Sequence, residues 1–283
     1  MKLITILSTL LLAGTLTSAA QKKTEILIWD EKPLETSEVK TAAVKAKDYT
    51  KDPAITVYTP KNPTGKTIVM CPGGGYSHQA TAHEGHDMAD WFNSQGITYV
   101  VLKYRLPYGD NTIPLSDAEQ AMRIVRKYAK ELGVDPTKVG IAGASAGGHL
   151  ATTLATHYSS PETRPDFQVL FYPVVSMDAN KTHMGSRKNL LGENPTQEMV
   201  DKFSNAKQVT TDTPKAFIIL SADDHAVPPV NSLEYFEALI ANNVRASIHV
   251  YPDGGHGWGF RDKFGFKRQW TGELEKWLRE EVK

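Results

Sequence analysis

The sequence predicts an α/β domain, with a mostly parallel central sheet that is covered by helices on both faces. Short apolar or alternating stretches recur along the chain, and helix-like stretches separate the later ones. Strands that alternate with helices need crossover connections, which produce parallel pairing. Because the loops after parallel strands converge at one edge of the sheet, we expect a functional site there. The predicted strands are 25–29, 55–58, 67–71, 98–104, 139–142, 169–172, 216–221 and 246–251.

Three helices are indicated by apolar residues that repeat at helical spacing. Each set forms one stripe that can pack on the sheet, and Gly133 ends the first helix. The stripes consist of Ala118, Ala121, Met122, Val125, Ala129 and Leu132, then Leu233, Phe236, Leu239 and Ile240, and finally Trp270, Leu274, Trp277 and Leu278.

Composition and charge exclude several classes of function. The 283 residues include 32 basic and 32 acidic side chains, with no long basic run, so we expect neither a nucleic-acid partner nor a polybasic membrane anchor. The length suits one large domain. Cys71 is the single cysteine, so no intramolecular disulfide can form and the fold must rely on its core. The oligomeric state is left open.

The N-terminus has the pattern of a secretory signal peptide. Lys2 precedes an apolar run over residues 3–16, which is too short to span a bilayer, and small residues at Ser18 and Ala20 suit cleavage after Ala20. We expect residues 1–20 to be removed and the protein to be secreted or periplasmic. Residues 21–283 would form the α/β domain. Residues 173–213 are too long for an ordinary connection between strands and predict a small cap-like insertion.

Residues 139–150 predict a serine nucleophile. An apolar run leads into Gly143, Ser145 and Gly147, and a helix-compatible stretch follows. A serine hydroxyl attacks a carbonyl when it projects from a sharp strand-to-helix turn beside a base. Glycines two positions before and after the serine relieve the crowding at such a turn.

A glycine-rich loop after another predicted strand supplies a second group that acyl transfer needs. Gly74 and Gly75 follow the strand that ends at Cys71. Consecutive glycines let the backbone turn its N–H groups toward a ligand. One of these N–H groups, together with that of Ala146, would form an oxyanion hole.

An acid and a base follow the last two strands. Asp223 and Asp224 stand at the end of one strand, and either carboxylate could orient a histidine. His256 lies on a glycine-flanked loop after the last strand and is the expected base. His149, on the helix after Ser145, is expected to have a packing role. The chain order of serine, acid and histidine then becomes Ser145, aspartate, His256.

Several other side chains are candidates for the substrate pocket. Tyr76, His78 and Trp258 are predicted to contact substrate, with Tyr76 or Trp258 as the wall of a flat slot. His78 and Glu84 follow the glycine-rich loop closely enough to line the pocket, although solvated positions remain open for both. From the insertion, His183 and Arg187 could meet a sugar or a carboxylate.

We expect no metal and no cofactor. His83 and His86 are three residues apart and lack the i, i+4 spacing that puts two imidazoles on one helix face. Arg105 and Asp117 are expected to form a structural ion pair behind the site.

Several motifs together resemble a known family: PGGGYSH at 72–78, LKYRLP at 102–107, GASAGGHLA at 143–151, DDHAVP at 223–228 and GGHGWG at 254–259. They are similar to the secreted carbohydrate-esterase branch of the α/β-hydrolase superfamily, which includes acetylxylan and feruloyl esterases. The resemblance implies an α/β-hydrolase fold and assigns roles to individual residues. These roles are Ser145 as nucleophile, Asp224 as acid, His256 as base, and Gly74, Gly75 and Ala146 at the oxyanion hole. Pro72 stands where lipase-like relatives have histidine, which argues against a close lipase analogy.

The function implied by this resemblance is a secreted serine esterase. It would remove acetyl groups, and feruloyl as a further acyl group, from plant polysaccharides or oligosaccharides such as xylan. The substrate would therefore be a small-molecule or polysaccharide ester. Two alternatives stay open: a single-domain serine peptidase of the same fold, and a catalytically silent carbohydrate-binding relative. The presence of Ser145, His256 and both carboxylates favours an enzyme over the second alternative.

Overall fold

The computed structural model describes residues 22–29 and 53–283, which form an eight-stranded sheet with helices on both faces. The predicted α/β class is confirmed, while the predicted signal peptide lies outside the described residues. The strands are β1 Lys22–Leu27, β2 Ala54–Thr59, β3 Gly65–Cys71, β4 Thr98–Lys103, β5 Val134–Ala144, β6 Gln168–Phe171, β7 Ala216–Ser221 and β8 Ala246–Tyr251.

The spatial order of the strands is β1-β2-β4-β3-β5-β6-β7-β8. β2 pairs antiparallel with β1 and β4, and every other pair is parallel. β6 and β7 are entirely buried, and β3 and β5 are buried from Thr67 and Val139 to their ends, as expected for parallel strands that are covered on both faces. β3, β5, β6, β7 and β8 therefore all end at the same edge of the sheet.

The helices fill the connections between these strands. Their bounds are α1 Ala89–Ser94, α2 Thr112–Lys127, α3 Ala129–Leu132, α4 Ala146–His157, α5 Met184–Leu191, α6 Gln197–Lys202, α7 Val230–Ala241 and α8 Lys267–Glu281. Two short 3₁₀ turns cover His86–Met88 and Asn205–Gln208.

Helix α4 is buried along most of its length because its residues are small. Its ten residues from Ala146 to Ala155 are all buried, Gly148 among them. A side chain at Gly148 would collide with Pro173, which follows β6. This close approach lets α4 lie in the centre of the molecule and fixes the turn that precedes it.

The stripe predicted for α7 is partly wrong. Leu239 is buried, but Leu233 is 43% exposed and Ile240 is 50% exposed. The helix packs instead through Tyr235, whose hydroxyl donates to Gln168 Oε1 (2.9 Å), and through Asn231. Because these two polar side chains face the protein interior, the buried face of α7 differs from its apolar stripe. The hydrophobic pattern alone therefore predicts the wrong buried face.

The connection from β6 to β7 contains α5, α6 and the second 3₁₀ turn. Its first part returns to the edge of the sheet where the strands end. Asn189 on α5 donates from Nδ2 to the carbonyl oxygen of Gly75 (2.8 Å), and the N–H of Gly109 donates to the carbonyl oxygen of Asn189 (2.7 Å). Helix α5 is thereby held against the glycine-rich loop.

Candidate active site

Ser145 lies at the turn between β5 and α4, with a backbone φ of 54° and ψ of −121°. Positive φ is rare for a residue with a side chain and stores backbone strain. The backbone around it compensates with three hydrogen bonds. The Ser145 N–H donates to Phe171 O (3.0 Å), and its carbonyl oxygen accepts from the N–H groups of Val174 (3.0 Å) and His149 (3.1 Å). The turn projects the hydroxyl away from the sheet.

The two glycines that flank the serine are required by close backbone approach. A Cβ at Gly147 would collide with the carbonyl of Cys71 at the end of β3, and a Cβ at Gly143 would collide with the carbonyl of Gly147. The glycine spacing recognised in the sequence is therefore what allows α4 to start directly beside the glycine-rich loop.

His256 joins Ser145 to Asp224 in a chain of hydrogen bonds. The carboxylate of Asp224 can only accept, so His256 Nδ1–H donates to its Oδ2 (2.6 Å). That leaves Nε2 as the acceptor for the Ser145 hydroxyl, at 2.8 Å. Asp224 is buried, and its second oxygen accepts from the N–H groups of Ala226 (3.0 Å) and Val227 (2.9 Å).

The neighbouring carboxylate has a different set of contacts. Asp223 is exposed and accepts from the N–H groups of Gly255 (2.8 Å) and Gly254 (3.3 Å). It therefore binds the backbone of the loop that carries His256, while Asp224 contacts the imidazole itself.

The glycine-rich loop lies next to the serine. Gly74 has a φ of 125° and Gly75 a φ of 63°. The N–H groups of Gly74, Gly75 and Ala146 have no acceptor among the described residues. Ala146 is the first residue of α4, so its N–H belongs to the positive end of the helix dipole. Donors of this kind can hold a negatively charged oxygen.

Glu84 ties this loop to the loop of His256. Its buried carboxylate accepts from the Gly73 N–H through Oε2 (3.0 Å) and from the Tyr172 hydroxyl through Oε1 (2.8 Å). The Tyr172 oxygen in turn accepts from the Gly259 N–H (2.8 Å). Burial, and then the Glu84 carboxylate, raise the pKa of Tyr172, which keeps its hydroxyl protonated as a donor.

Ser145 and His256 open onto a cavity of about 390 Å³. Its lining is polar or small, and in the described part of the chain it includes no phenyl, phenol or indole ring. The residues that line it are Gly74, Gly75, Ser77, His78, Ala80, His83, Glu84, Ser145, His183, Gly185, Asn189, His256, Gly257 and Arg261. The sequence contains no local signal for Asn189 or Arg261, because both reach the cavity from connections whose path is set by packing.

Two predicted substrate contacts, Tyr76 and Trp258, are wrong. Each is only 2% exposed and neither lines the cavity. The Tyr76 hydroxyl bonds His149 Nδ1 (3.0 Å), and Trp258 donates from Nε1 to Ser221 Oγ (3.0 Å) while stacking on Phe264. Both aromatic rings pack in the core, so neither of them forms a flat slot in the cavity.

The remaining candidates divide between the cavity and the scaffold. His78 and His183 line the cavity. Arg187 does not, and its Nε–H donates to the carbonyl oxygen of Met177 (3.0 Å). Arg105 and Asp117 form a buried ion pair at 2.7 Å, in agreement with the structural role expected for them.

Within residues 22–29 and 53–283, no group of three or more histidine, cysteine, aspartate or glutamate side chains could hold a metal ion. None of the helices in these ranges is long and apolar enough to cross a membrane.

The sheet has eight strands, is mostly parallel, and carries a serine on a strained strand-to-helix turn. A histidine and an aspartate are hydrogen-bonded to this serine in a chain at the same edge of the sheet. These features define an α/β-hydrolase. Comparison with known proteins agrees with this class. The chain belongs to the BD-FAE family, whose model matches residues 55–239.

Two similar proteins have names that refer to xylan. The chain is 44% identical over 226 residues to an acetylxylan esterase of Xylanibacter ruminicola, covering 78% of this chain and 47% of that protein. It is 36% identical over 207 residues to endo-1,4-beta-xylanase B of Butyrivibrio fibrisolvens, covering 67% of this chain and 32% of that protein. The chain thus spans half or less of the length of these two relatives.

A solved structure matches over almost its full length. It is an acetyl ester-xyloside bifunctional hydrolase from Caldicellulosiruptor lactoaceticus, with a TM-score of 0.79 and 36% identity, and the match covers 90% of this chain and 95% of that one. The predicted α/β-hydrolase fold is therefore confirmed, and the chain is related to carboxylic ester hydrolases.

Proposed function

We propose that this protein is a serine esterase that removes acetyl groups from plant polysaccharide or its oligosaccharides, such as xylan. The observation that carries the proposal is the hydrogen-bonded chain of Ser145, His256 and Asp224, which opens onto a polar cavity. The arrangement has the parts that acyl transfer requires: a nucleophile, a base within hydrogen-bond reach, and an acid that orients the base.

In the first half-reaction, the Ser145 oxygen attacks the acyl carbon while His256 Nε2 takes the hydroxyl proton. Asp224 holds the imidazole by its Nδ1–H and stabilises the positive charge that develops on it. The carbonyl oxygen becomes negative, and N–H groups of Ala146 and of Gly74 or Gly75 would hold it. The imidazolium then returns its proton to the sugar oxygen, the ester C–O bond breaks, and an acyl-enzyme remains.

The second half-reaction releases the acid. Water replaces the sugar alcohol, His256 takes one of its protons, and the resulting hydroxyl attacks the acyl carbon. The proton then passes to the Ser145 oxygen as the bond between that oxygen and the acyl carbon breaks, which regenerates the serine and frees acetic acid, which ionises to acetate in water. No cofactor takes part in either half.

The cavity supports a short acyl group and a hydroxylated alcohol. Its described lining is polar or small, so it provides little apolar surface for a fatty chain, each buried methylene of which contributes about 0.8 kcal/mol. A feruloyl group needs a flat apolar slot, and the two aromatic rings predicted to form one are buried in the core. The names of the relatives, acetylxylan esterase and acetyl ester-xyloside hydrolase, support acetylated xylan as the substrate class.

The location of the protein follows from the proposed substrate. Xylan is a polymer outside the cell, so the proposal includes export by the signal peptide expected at residues 1–20. Residues 173–213 would act as a cap that shapes the cavity, since His183, Gly185 and Asn189 from this segment line it.

The test compares the wild type with Ser145→Ala on 4-nitrophenyl acetate and on acetylated xylo-oligosaccharides. Because the three side chains act as a unit, kcat should fall by several orders of magnitude while the thermal melting temperature stays the same. On aryl esters of the wild type, kcat/KM should be highest for acetyl or propionyl and decline toward octanoyl.

Either of two outcomes would contradict the proposal. Wild-type turnover by a folded Ser145→Ala variant would exclude the serine mechanism. A kcat/KM that rises with acyl length would indicate an apolar tunnel and exclude the acetyl preference.

A further inference from the structure

His183 is a cavity residue that the mechanism above does not use. It precedes helix α5 as its N-cap and lines the same cavity as Ser145. Its side chain is half-buried, and its only hydrogen-bond partner in the described part of the chain is Ser186.

The contacts of Nδ1 fix the tautomer of this imidazole. Nδ1 accepts from the backbone N–H of Ser186 at 3.2 Å, and a backbone N–H can only donate. The Ser186 hydroxyl lies 2.9 Å from the same nitrogen. Nδ1 therefore has no hydrogen of its own in the neutral ring, so the ring hydrogen is on Nε2. Burial, and then the neighbouring His256, lower the pKa of His183, which favours this neutral form.

The imidazole of His183 lies between the glycine-rich loop and the start of α5. From a Cβ position built on Gly75, the nearest ring atoms are Cε1 at 3.4 Å and Nδ1 at 3.9 Å. From the same position on Gly185, at the start of α5, the nearest ring atoms are Cε1 at 3.0 Å and Nε2 at 3.5 Å. Nε2 is therefore closer to Gly185, at the start of α5, than to Gly75, beside which the acyl oxygen would be held.

We infer that His183 Nε2–H is a hydrogen-bond donor to the sugar that carries the ester. Its acceptor would be a hydroxyl or ether oxygen of the alcohol part of the substrate, since these are the acceptors that a carbohydrate offers away from the reacting carbonyl. This inference rests on the proposed function and deepens it, because it assigns the recognition of the sugar to one side chain of the inserted segment.

A variant can remove this donor and keep the helix cap. Serine is a favoured N-cap residue, so in His183→Ser the hydroxyl oxygen can still accept from the Ser186 N–H. The shorter side chain cannot reach the position of Nε2. Lys188→Ser is the matched control, because Lys188 lies on the same helix, is exposed and does not line the cavity.

The experiment measures kcat/KM for each protein on 4-nitrophenyl acetate, which has no sugar, and on mono-acetylated xylobiose. In His183→Ser the ratio of sugar ester to aryl ester should fall by about 2- to 13-fold, the value of one neutral hydrogen bond. Since the contact is made to a non-reacting oxygen, the loss should appear as a higher KM for the sugar ester with little change in kcat. Lys188→Ser should keep the wild-type ratio.

A second arm changes the substrate. Deoxy analogues of the acetylated xylobiose, each lacking one hydroxyl, are tested on the wild type and on His183→Ser. The analogue that lacks the accepting hydroxyl should lose the same factor on the wild type and lose nothing further on the variant, because donor and acceptor belong to one contact.

Each contrary result has a distinct meaning. Unchanged kcat/KM values on both esters overturn the inference, as does an equal loss on both esters, which would mean that His183 acts on the acyl chemistry. In both cases the proposed esterase stands if the wild type still hydrolyses acetylated xylobiose. A wild type that cleaves only the aryl ester overturns the sugar substrate and this inference together.

Discussion

The buried histidine on the helix after the nucleophile should make the stability of this protein depend on pH. His149 is 0% exposed. Its Nε2–H donates to the carbonyl oxygen of Phe203 (2.8 Å), so its Nδ1 is the acceptor for the Tyr76 hydroxyl (3.0 Å). Tyr76 follows directly after Gly75. A neutral His149 thus supports both the inserted segment and the glycine-rich loop.

The size of the effect follows from the shift in its pKa. Burial lowers the pKa of His149 from 6.5 to about 4. Between these two values the unfolded chain binds more protons than the folded one, so the free energy of unfolding decreases as the pH falls. The stabilisation by the neutral form is complete above about pH 6.5; about 2 kcal/mol of it is lost at pH 5 and about 3 kcal/mol at pH 4.

The assay is equilibrium unfolding in urea at pH values from 7.5 to 4. The wild type is compared with His149→Gln, whose amide can donate and accept in a similar space but does not titrate. The variant has its own stability at pH 7.5, so the quantity to compare is the change in the free energy of unfolding across the series. That change should be smaller by about 3 kcal/mol in the variant. Equal pH dependence in the two proteins would mean that the protonation of His149 does not control the stability.

Two further predictions concern the carboxylates of the site. Asp224→Asn should lower kcat on aryl acetate by about 10⁴-fold, because the amide no longer holds the imidazole of His256 in its productive form; Asp223→Asn should cost much less, since Asp223 contacts only backbone N–H groups. A larger loss in Asp223→Asn would reverse this assignment. Glu84→Ala should lower both kcat and the melting temperature, because it leaves the Gly73 N–H and the Tyr172 hydroxyl without their acceptor, at a cost of about 3 kcal/mol or more. Glu84→Gln, which keeps one acceptor oxygen, is its control and should lie between the wild type and Glu84→Ala in thermal unfolding and steady-state rates.

The fold class could be predicted from the sequence because the central strands are buried on both faces. Such strands must be nearly continuous apolar runs, and this pattern does not depend on which neighbour they pair with. The start of β5 was not predictable in this way. The strand begins at Val134 and includes Pro136, which normally indicates a turn. Gly65 on β3 pairs with Val134, and the register shifts before Thr67, so the extension depends on a partner strand.

The local chemistry of the site was also present in the sequence. A serine that must project from a sharp turn requires small residues at fixed distances, and Gly143 and Gly147 satisfy that requirement. His256, on its glycine-flanked loop, follows the strand at the edge where the turn lies. By contrast, Asp223 and Asp224 are adjacent and chemically identical. Which of them faces His256 depends on how the chain leaves β7.

The class of domain, the nucleophile turn and the chain order of serine, aspartate and histidine could all be derived from the amino-acid sequence, because each follows from covalent spacing and from backbone crowding over a few residues. Which side chains face the cavity depends instead on the packing of the folded chain. Tyr76 and Trp258 have partners far along the chain, His149 and Ser221, that draw them into the core. His183 is brought to the cavity by the path of the inserted segment, since contacts between distant residues arise from packing, which a local pattern does not specify.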